Sequence, residues 1–152
     1  MSFALDDAAR AFLEQARVAA MTTLRRDGTP HTVRIGIAMV DGKIWSSGTQ
    51  ARARTRHLRR DPRASLFVVD AGYGYLTLDC TVRILDGPDV PELSVKLFET
   101  MQRGMERTPG TVVWHGAEKT VDEFQRIMRE EQRLIYEFEP LRAYGLYQAG
   151  GR

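Results

Sequence analysis

A segment rich in hydroxyl groups and arginines carries the chemistry that is easiest to interpret in this sequence. Residues 46–63 read SSGTQARARTRHLRRDPR, with three hydroxyl side chains and a glycine before six arginines. Hydroxyls and backbone amides next to guanidinium groups are typical of sites that hold a phosphate or a carboxylate. The segment therefore predicts a site for an anionic group, which we interpret as the anionic part of a flat redox cofactor.

The charges of this segment are poorly balanced. Its spacing predicts a short helix with Arg52, Arg56 and Arg59 on one face, and Asp61 is the only carboxylate among the six arginines. A solvated surface helix is the alternative interpretation, although such a helix usually mixes arginine with glutamate. The net charge of the whole chain is only +2, which makes the positive charge local. Aromatic residues are not interleaved with the arginines, and we therefore expect no nucleic-acid partner.

The elements around the segment are predicted from hydrophobic periodicity and turn signals. Strands are expected at 17–24, 31–40, 43–47, 64–70, 75–86, 133–139 and 142–147, helices at 6–16, 91–105 and 120–132, and irregular chain at 108–116. About seven strands that follow one another through short turns favour an antiparallel barrel with helical decoration. The fold class is thus mainly β with helices, in a single domain over residues 1–152.

The second predicted strand has two different faces. Its odd-numbered positions, from His31 to Met39, are mostly apolar, whereas the other face holds Thr32, Arg34, Gly36 and Ala38. The small residues would allow a planar ring to approach the backbone. A neighbouring helix that packs on them would explain the pattern equally well.

Other classes of site find little support. His31, His57 and His115 are scattered, without a carboxylate or thiol at ligand spacing, so no metal site is expected. The single cysteine, Cys80, is interpreted as a buried apolar residue and suits a reducing cytoplasm. No apolar run is long enough for a membrane span, and no secretory signal is recognised. The motifs of serine hydrolases, phosphate-loop nucleotidases and Rossmann proteins do not occur.

The order of motifs resembles the pyridoxamine 5′-phosphate oxidase-like split-barrel family. The resemblance rests on Arg-Val-Ala-Ala-Met-Thr-Thr-Leu at 17–24, Asp-Gly-x-Pro-His at 27–31, Asp-Gly-Lys-Ile-Trp-Ser-Ser-Gly-Thr at 41–49, the arginine segment with its Asp-Pro at 54–65, and the ending at 133–145. It implies a homodimer of split β-barrels with two cofactor sites between the subunits and a small-molecule substrate. The oxidase's own C-terminal Arg-x-His motif is not evident, which argues against vitamin B6 oxidation.

The resemblance also implies which residues hold the cofactor. The phosphate is expected against the strand-end hydroxyls and the arginine helix, and the isoalloxazine-like ring along the second strand. The cofactor-binding residues are then Arg34, Ile35, Gly36, Ser46, Ser47, Thr49, Arg52, Arg54, Arg56 and His57. Three positions depart from the family pattern: Arg54 replaces lysine, His57 replaces asparagine and Cys80 replaces glycine.

The motif His57-Leu58-Arg59-Arg60-Asp61-Pro62 looks most like the actinobacterial branch that uses the deazaflavin coenzyme F420. The resemblance implies an oxidoreductase that transfers a hydride from the reduced deazaflavin to a small unsaturated organic substrate. An FMN-dependent reductase or oxidase of the same fold is one alternative. A non-catalytic protein that binds F420 or a flavin is the other. No catalytic side chain is singled out; solvent, Tyr73 and Tyr75 are candidates for a proton donor.

Overall fold

A computed structural model describes residues 3–147 of the chain; residues 1–2 and 148–152 of the predicted domain lie outside the described part. The described residues form four helices and nine strands. In chain order these are α1 Asp7–Gln15, β1 Val18–Leu24, β2 Pro30–Gly36, β3 Ala38–Val40, β4 Lys43–Thr49, α2 Ala53–Arg60, β5 Arg63–Val69, β6 Tyr75–Leu85, α3 Val90–Met101, β7 Thr111–Trp114, β8 Ala117–Thr120, α4 Val121–Glu130 and β9 Arg133–Leu146.

Seven of the strands form one antiparallel sheet in the order β2-β1-β5-β6-β9-β4-β3. The sheet curls around a core to which all of its strands contribute, with α1 packed against that core. The alternation of apolar and polar residues determines which side chains point inward. On β6, Leu76, Leu78 and Cys80 are at most 2% exposed. The curled antiparallel sheet confirms the expected split-barrel architecture.

Cys80 has the apolar role predicted for it. Its side chain is 2% exposed, and burial followed by the charge of Asp79 raises the pKa of the thiol to about 12. A thiol with such a pKa stays protonated at neutral pH and is a poor nucleophile.

Two smaller clusters lie outside the barrel. Leu97 of α3 packs with Trp45 and Ile135 on the outer side of β4 and β9. Helix α4 packs with the β7–β8 hairpin through Phe124 and Val112. The insertion between β6 and β9 therefore forms a small layer against one side of the sheet.

The predicted capping box opens α4 as expected. The Thr120 hydroxyl accepts from the Glu123 amide, and the Glu123 carboxylate accepts from the Thr120 amide. Two of the four amides left free at the helix start are thereby satisfied.

Residues 108–116, expected to be irregular, contain strand β7, which forms a hairpin with β8. The turn is His115-Gly116, with φ angles of 50° and 80°. Left-handed angles at both central positions are typical of the tight hairpin turn usually signalled by Asn-Gly or Asp-Gly. Because histidine occupies the first position, the sequence lacks this turn signal.

Two predicted strand boundaries are also corrected. The strand expected at 31–40 is divided at Ile37, whose amide donates to the Arg17 carbonyl at 2.9 Å, so that β2 pairs with β1 and β3 with β4. Conversely, 133–139 and 142–147 form one strand, β9. Pro140, which has no N–H, lies opposite Cys80 where the register shifts, and the irregularity absorbs the missing donor.

The helix expected at 91–105 ends at Met101. Gln102 lies beyond that end, where its side-chain amide donates to the Val113 carbonyl and its side-chain oxygen accepts from the Val113 amide. Gly104, at φ 83°, follows in a left-handed conformation that ends the helical path.

Candidate functional site

The arginine helix α2 is fixed across the ends of β4 and β9. Thr55 and Leu58 are its buried residues. The Thr55 hydroxyl donates to the Thr49 carbonyl at 2.7 Å and is also in contact with the Tyr136 hydroxyl. One buried threonine thus ties the helix to both strands and sets where its arginines lie.

Gly48 is required by this arrangement because the Tyr136 ring lies directly over it. A Cβ atom at Gly48 would be 2.6 Å from ring carbons Cε2 and Cζ of Tyr136. The glycine of the hydroxyl-rich stretch therefore leaves room for the aromatic ring that supports α2.

Replacing Gly48 by alanine is expected to lower the free energy of unfolding by about 1–3 kcal/mol, because the fully buried Tyr136 ring cannot move without repacking the core. Urea denaturation measures this change. Gly72→Ala is the matched control: its nearest non-bonded atom, Asp70 Oδ1, would be an ordinary 3.6 Å away. Equal stability of the two variants would contradict a steric role for Gly48.

Arg54 is the least exposed of the six arginines of the segment. Its guanidinium lies 5.7 Å from the centre of the Tyr136 ring, and its Nε atom is buried without a hydrogen-bond partner. Burial lowers the pKa of Arg54, and the charges of Arg52 and Arg133 lower it further, although Tyr136 opposes the shift. The half-buried guanidinium thus lacks a compensating anion in the described part of the chain.

The three hydroxyl residues expected near the phosphate lie on two faces of β4. Ser46 pairs with Tyr136 on the face turned into the barrel and is 1% exposed. Ser47 and Thr49 alternate with it on the opposite face and are half-buried. The Oγ atoms of Ser46 and Ser47 are buried and have no hydrogen-bond partner. The structure therefore does not bring the three hydroxyls to one point, but it leaves both serine hydroxyls unsatisfied.

The other five arginines of the segment differ in their partners. Arg60 donates to the Leu24 carbonyl. Arg59 pairs with Asp86 at 3.0 Å and Arg63 with Asp61 at 2.8 Å. Arg52 and Arg56 have no carboxylate within 4 Å in the described part of the chain, and Arg56 donates instead to the Ala51 carbonyl. The positive charge expected from the sequence is thus partly neutralised by Asp61 and Asp86, and Arg52 and Arg56 remain without an ion pair in the described residues.

His57 and His31, expected to be scattered, lie next to each other. Their ring centroids are 5.0 Å apart in an edge-to-face arrangement, and His57 Nδ1 is 2.9 Å from the Thr23 hydroxyl. Burial lowers the pKa of His57, followed by the charges of His31 and of the nearby arginines. Within residues 3–147, no group of three His, Cys, Asp or Glu side chains is arranged to hold a metal ion.

The residues expected along the cofactor ring are accessible to different degrees. Arg34 is exposed on the outer face of β2, whereas Ile35 points into the core and is 5% exposed. The Met101 side chain, at the end of α3, lies over Gly36. For Gly36, packing by a neighbouring helix therefore accounts for the small residue. A ring could approach here only if the flexible Met101 side chain moved.

The distance between the two expected subsites follows from the register of β1 and β2. Thr23 is opposite His31 and Ala20 is opposite Arg34, so Arg34 lies three residues along the strand from His31, on the other face. Three residues of an extended strand span about 10 Å. Because the two residues lie on opposite faces, this spacing does not by itself place the ring and the phosphate on one surface.

Three residues at the site were not identified from the sequence. Thr55 and Tyr136 hold α2, and His31 contacts His57. Thr55 could have been noticed as the one hydroxyl side chain within the arginine helix, at a buried position. Nothing local to Tyr136 or His31 indicates contact with residues 81 and 26 positions away, respectively.

Comparisons with known proteins identify the family to which this sequence belongs. The family model described as Pyridoxamine 5′-phosphate oxidase matches residues 5–133. Among solved structures, one described as an F420 reductase has 19% sequence identity and a TM-score of 0.68, covering 92% of this chain and 98% of that one. A conserved hypothetical protein of Mycobacterium tuberculosis has 19% identity and a TM-score of 0.70, with coverages of 97% and 87%.

A third structure, the heme storage protein HutZ of Vibrio cholerae, has 12% identity and a TM-score of 0.64, with coverages of 96% and 98%. At these identities the structural likeness concerns the fold, which these proteins share despite different described ligands. The helices within residues 3–147 are too short or too polar to cross a membrane. Because the family model matches most of the sequence, the chain belongs to the pyridoxamine 5′-phosphate oxidase family.

Proposed function

We propose that this protein is an F420-dependent oxidoreductase that reduces a small unsaturated organic substrate. The observation that carries the proposal is Arg54, a half-buried guanidinium with an unpartnered Nε and no compensating anion in the described residues. A half-buried charge is unfavourable in free energy unless an opposite charge pairs with it. An anionic group of a bound cofactor would supply the missing partner.

The residues present fit a cofactor with several anionic groups. Arg54 and the unsatisfied Ser47 hydroxyl offer donors for a phosphate, with Thr49 on the same face of β4. Arg52 and Arg56, at the exposed side of α2, offer charge for the carboxylates of the oligoglutamate tail of F420. This tail is the main reason to prefer F420 to FMN, which carries no such carboxylates.

The bound deazaflavin would supply hydride chemistry, and the protein would bind and orient it. We assign the phosphate to Ser47, Thr49, Arg54 and His57, the tail to Arg52 and Arg56, and the ring to Arg34, Ile35 and Gly36. The enclosed position of Ser46 limits its part to supporting the Tyr136 side of the site. Arg34, being exposed, is the ring-site residue most able to reach a ligand.

We further propose that two copies of the chain complete each site. The outer face of the sheet exposes five apolar side chains: Val18, Phe67, Val69, Tyr144 and Leu146 are between 37% and 58% exposed. The strand register places Phe67 beside Thr77, which in turn is beside Tyr144, and places Val69 in the row of Leu146. This outer patch is continuous across β5, β6 and β9, as expected of a surface that another protein covers.

Two alternatives have support in the same geometry. An FMN-dependent reductase or oxidase would use the phosphate donors and leave the outer arginines without a ligand. A non-catalytic protein that binds F420 or a flavin would use the whole site. Around α2 the carboxylates Asp61 and Asp86 are paired with arginines, so no group there is singled out as a catalytic acid or base.

Fluorescence titration of the purified, cofactor-free protein with F420 and, separately, with FMN tests the proposal. F420 is expected to bind at least about tenfold more tightly than FMN, because of its additional carboxylates. Preference for FMN would favour the flavin enzyme. Binding of neither cofactor would contradict the proposed function. Substrate reduction by the reduced F420 complex then separates an enzyme from a binding protein.

A further inference from the structure

Two histidines from distant parts of the chain meet beneath α2. His57 comes from the last turns of α2 and His31 from β2, with their rings 5.0 Å apart and 85° between the ring planes. Thr23, which is 1% exposed on β1, contacts Nδ1 of His57 at 2.9 Å. Nδ1 of His31 is buried and has no hydrogen-bond partner. Thr23 therefore fixes His57, whereas Nδ1 of His31 lacks a hydrogen bond.

The charged groups that act on this pair are positive. Arg56 and Arg60 belong to α2, and Arg25 belongs to the turn after β1. Each of the three donates to a backbone carbonyl, of residues 51, 24 and 30 respectively, and none has a carboxylate within 4 Å in the described chain. These guanidinium groups therefore place positive charge near His57 without an ion pair within 4 Å.

The carboxylates of the same elements are engaged elsewhere. Asp27, in the turn after β1, accepts from the amide and the hydroxyl of Thr29. Asp61, at the end of α2, accepts from the Arg63 guanidinium. Strands β1 and β2 contain no acidic residue. No carboxylate is among the groups that shift the pKa of His57.

We propose that His57, packed against His31, takes up a proton when an oxyanion binds beside Arg25, Arg56 and Arg60. An arriving oxyanion offsets the positive charges that disfavour protonation of His57, so the proton and the anion bind cooperatively. The identity of the oxyanion as part of the cofactor rests on the proposed function; the linkage itself does not.

The direction of the effect follows from the pKa of His57. Burial and the neighbouring charges lower this pKa below its usual 6.5, so the folded protein favours the neutral ring. The unfolded chain takes up its proton near pH 6.5, and stability is therefore lost as the pH falls below that value toward the folded-state pKa. An oxyanion raises the folded-state pKa and restores stability in this acidic range.

Sulfate is a suitable probe because its charge stays constant while the histidines titrate. We would follow sulfate binding by imidazole NMR signals between about pH 8 and about pH 5.5, replacing chloride by sulfate at constant ionic strength. The affinity is expected to rise by at least about fivefold over this range, below the limit of about tenfold per pH unit for one proton. The resonances of His57 should shift toward the protonated form as sulfate binds.

Two variants and a control locate the effect. His57→Asn keeps a side chain that can bond Thr23, and His31→Phe keeps an aromatic ring; together they should abolish the pH dependence of sulfate affinity. His115→Asn is the control, because His115 is exposed at a φ of 50° that asparagine tolerates. If the double variant does not fold, the wild-type resonances alone decide the proposal.

A sulfate affinity that does not change with pH, or histidine signals that do not respond to sulfate, would overturn the inference. Titrations with F420 and FMN at the same pH values separate it from the proposed function. Proton-linked sulfate binding without cofactor binding would leave the inference intact and reject the proposed function. Cofactor binding without proton-linked sulfate binding would support the proposed function and reject the inference.

Discussion

The Arg54→Ala/Arg56→Ala variant is expected to bind F420 about tenfold to a hundredfold more weakly than the wild type. Arg54 offers a buried donor without a partner, and Arg56 offers an exposed guanidinium that engages only a backbone carbonyl. A hydrogen bond to a charged group contributes about 1.5–3 kcal/mol, and each 1.4 kcal/mol corresponds to a factor of ten in affinity. Fluorescence titration measures the change.

The fold is expected to survive this double substitution. Helix α2 is held by Thr55 and Leu58, which remain, and removing the desolvated Arg54 charge also removes a cost of burial. Alanine is moreover the best helix former. A thermal unfolding midpoint close to that of the wild type would therefore assign the loss of affinity to lost contacts with the ligand.

Arg59→Ala is the matched control on the same helix. Arg59 is already occupied by Asp86 and by the Gln50 side chain, so its loss should change cofactor affinity by less than about threefold. Equal losses in the control and the double variant would indicate a general effect of charge on binding. Unchanged affinity in the double variant would show that α2 does not hold the cofactor.

The parts of this site that could be predicted from sequence are those that depend on short-range patterns. The excess of arginine in 52–63 required only a count, and β6 required only alternation, which correctly placed Cys80 inside the barrel. The capping box at Thr120 is equally local, since its two partners are three residues apart. Such features are determined within one or two turns of chain and therefore appear in the sequence itself.

The parts that could not be predicted depend on contacts between distant segments. Tyr136 over Gly48 is one case, because only the β4–β9 register shows that the glycine accommodates an aromatic ring. The placement of Ser46 and Ser47 on opposite faces of β4 is another case. A hydroxyl-rich stretch suggests that its side chains converge, but neighbouring side chains of an extended strand point to opposite faces. The His31–His57 contact needed the placement of α2 across the end of β1 and β2.

Position 36 illustrates how two interpretations of one pattern are separated by structure. The small residues of the second strand fit an approaching ring or an approaching helix equally well. In the structure Met101 covers Gly36, and Ala38 packs in the cluster of Leu97, so the helix accounts for both. Arg34, on the same face of the strand but exposed, remains the candidate for contact with a ligand.

Replacing Phe67 by glutamate is expected to convert a dimer into a monomer and to weaken F420 binding by more than about tenfold. Phe67 is 45% exposed at the centre of the outer patch, where its ring lies 5.5 Å from that of Tyr75. A carboxylate there would be buried without a partner between two copies. Sedimentation analysis should give twice the 17.2 kDa chain mass for the wild type and the single mass for the variant.

Met105→Glu separates this effect from a general response to added negative charge. Met105 is 50% exposed, close to the value for Phe67, but it follows α3 and lies outside the outer patch. This control should remain dimeric and should bind the cofactor normally. A wild-type monomer that binds F420 tightly would contradict the two-subunit site, because one copy would then suffice. If Phe67→Glu separates the subunits without weakening the affinity, the outer patch serves assembly and each chain holds its cofactor alone.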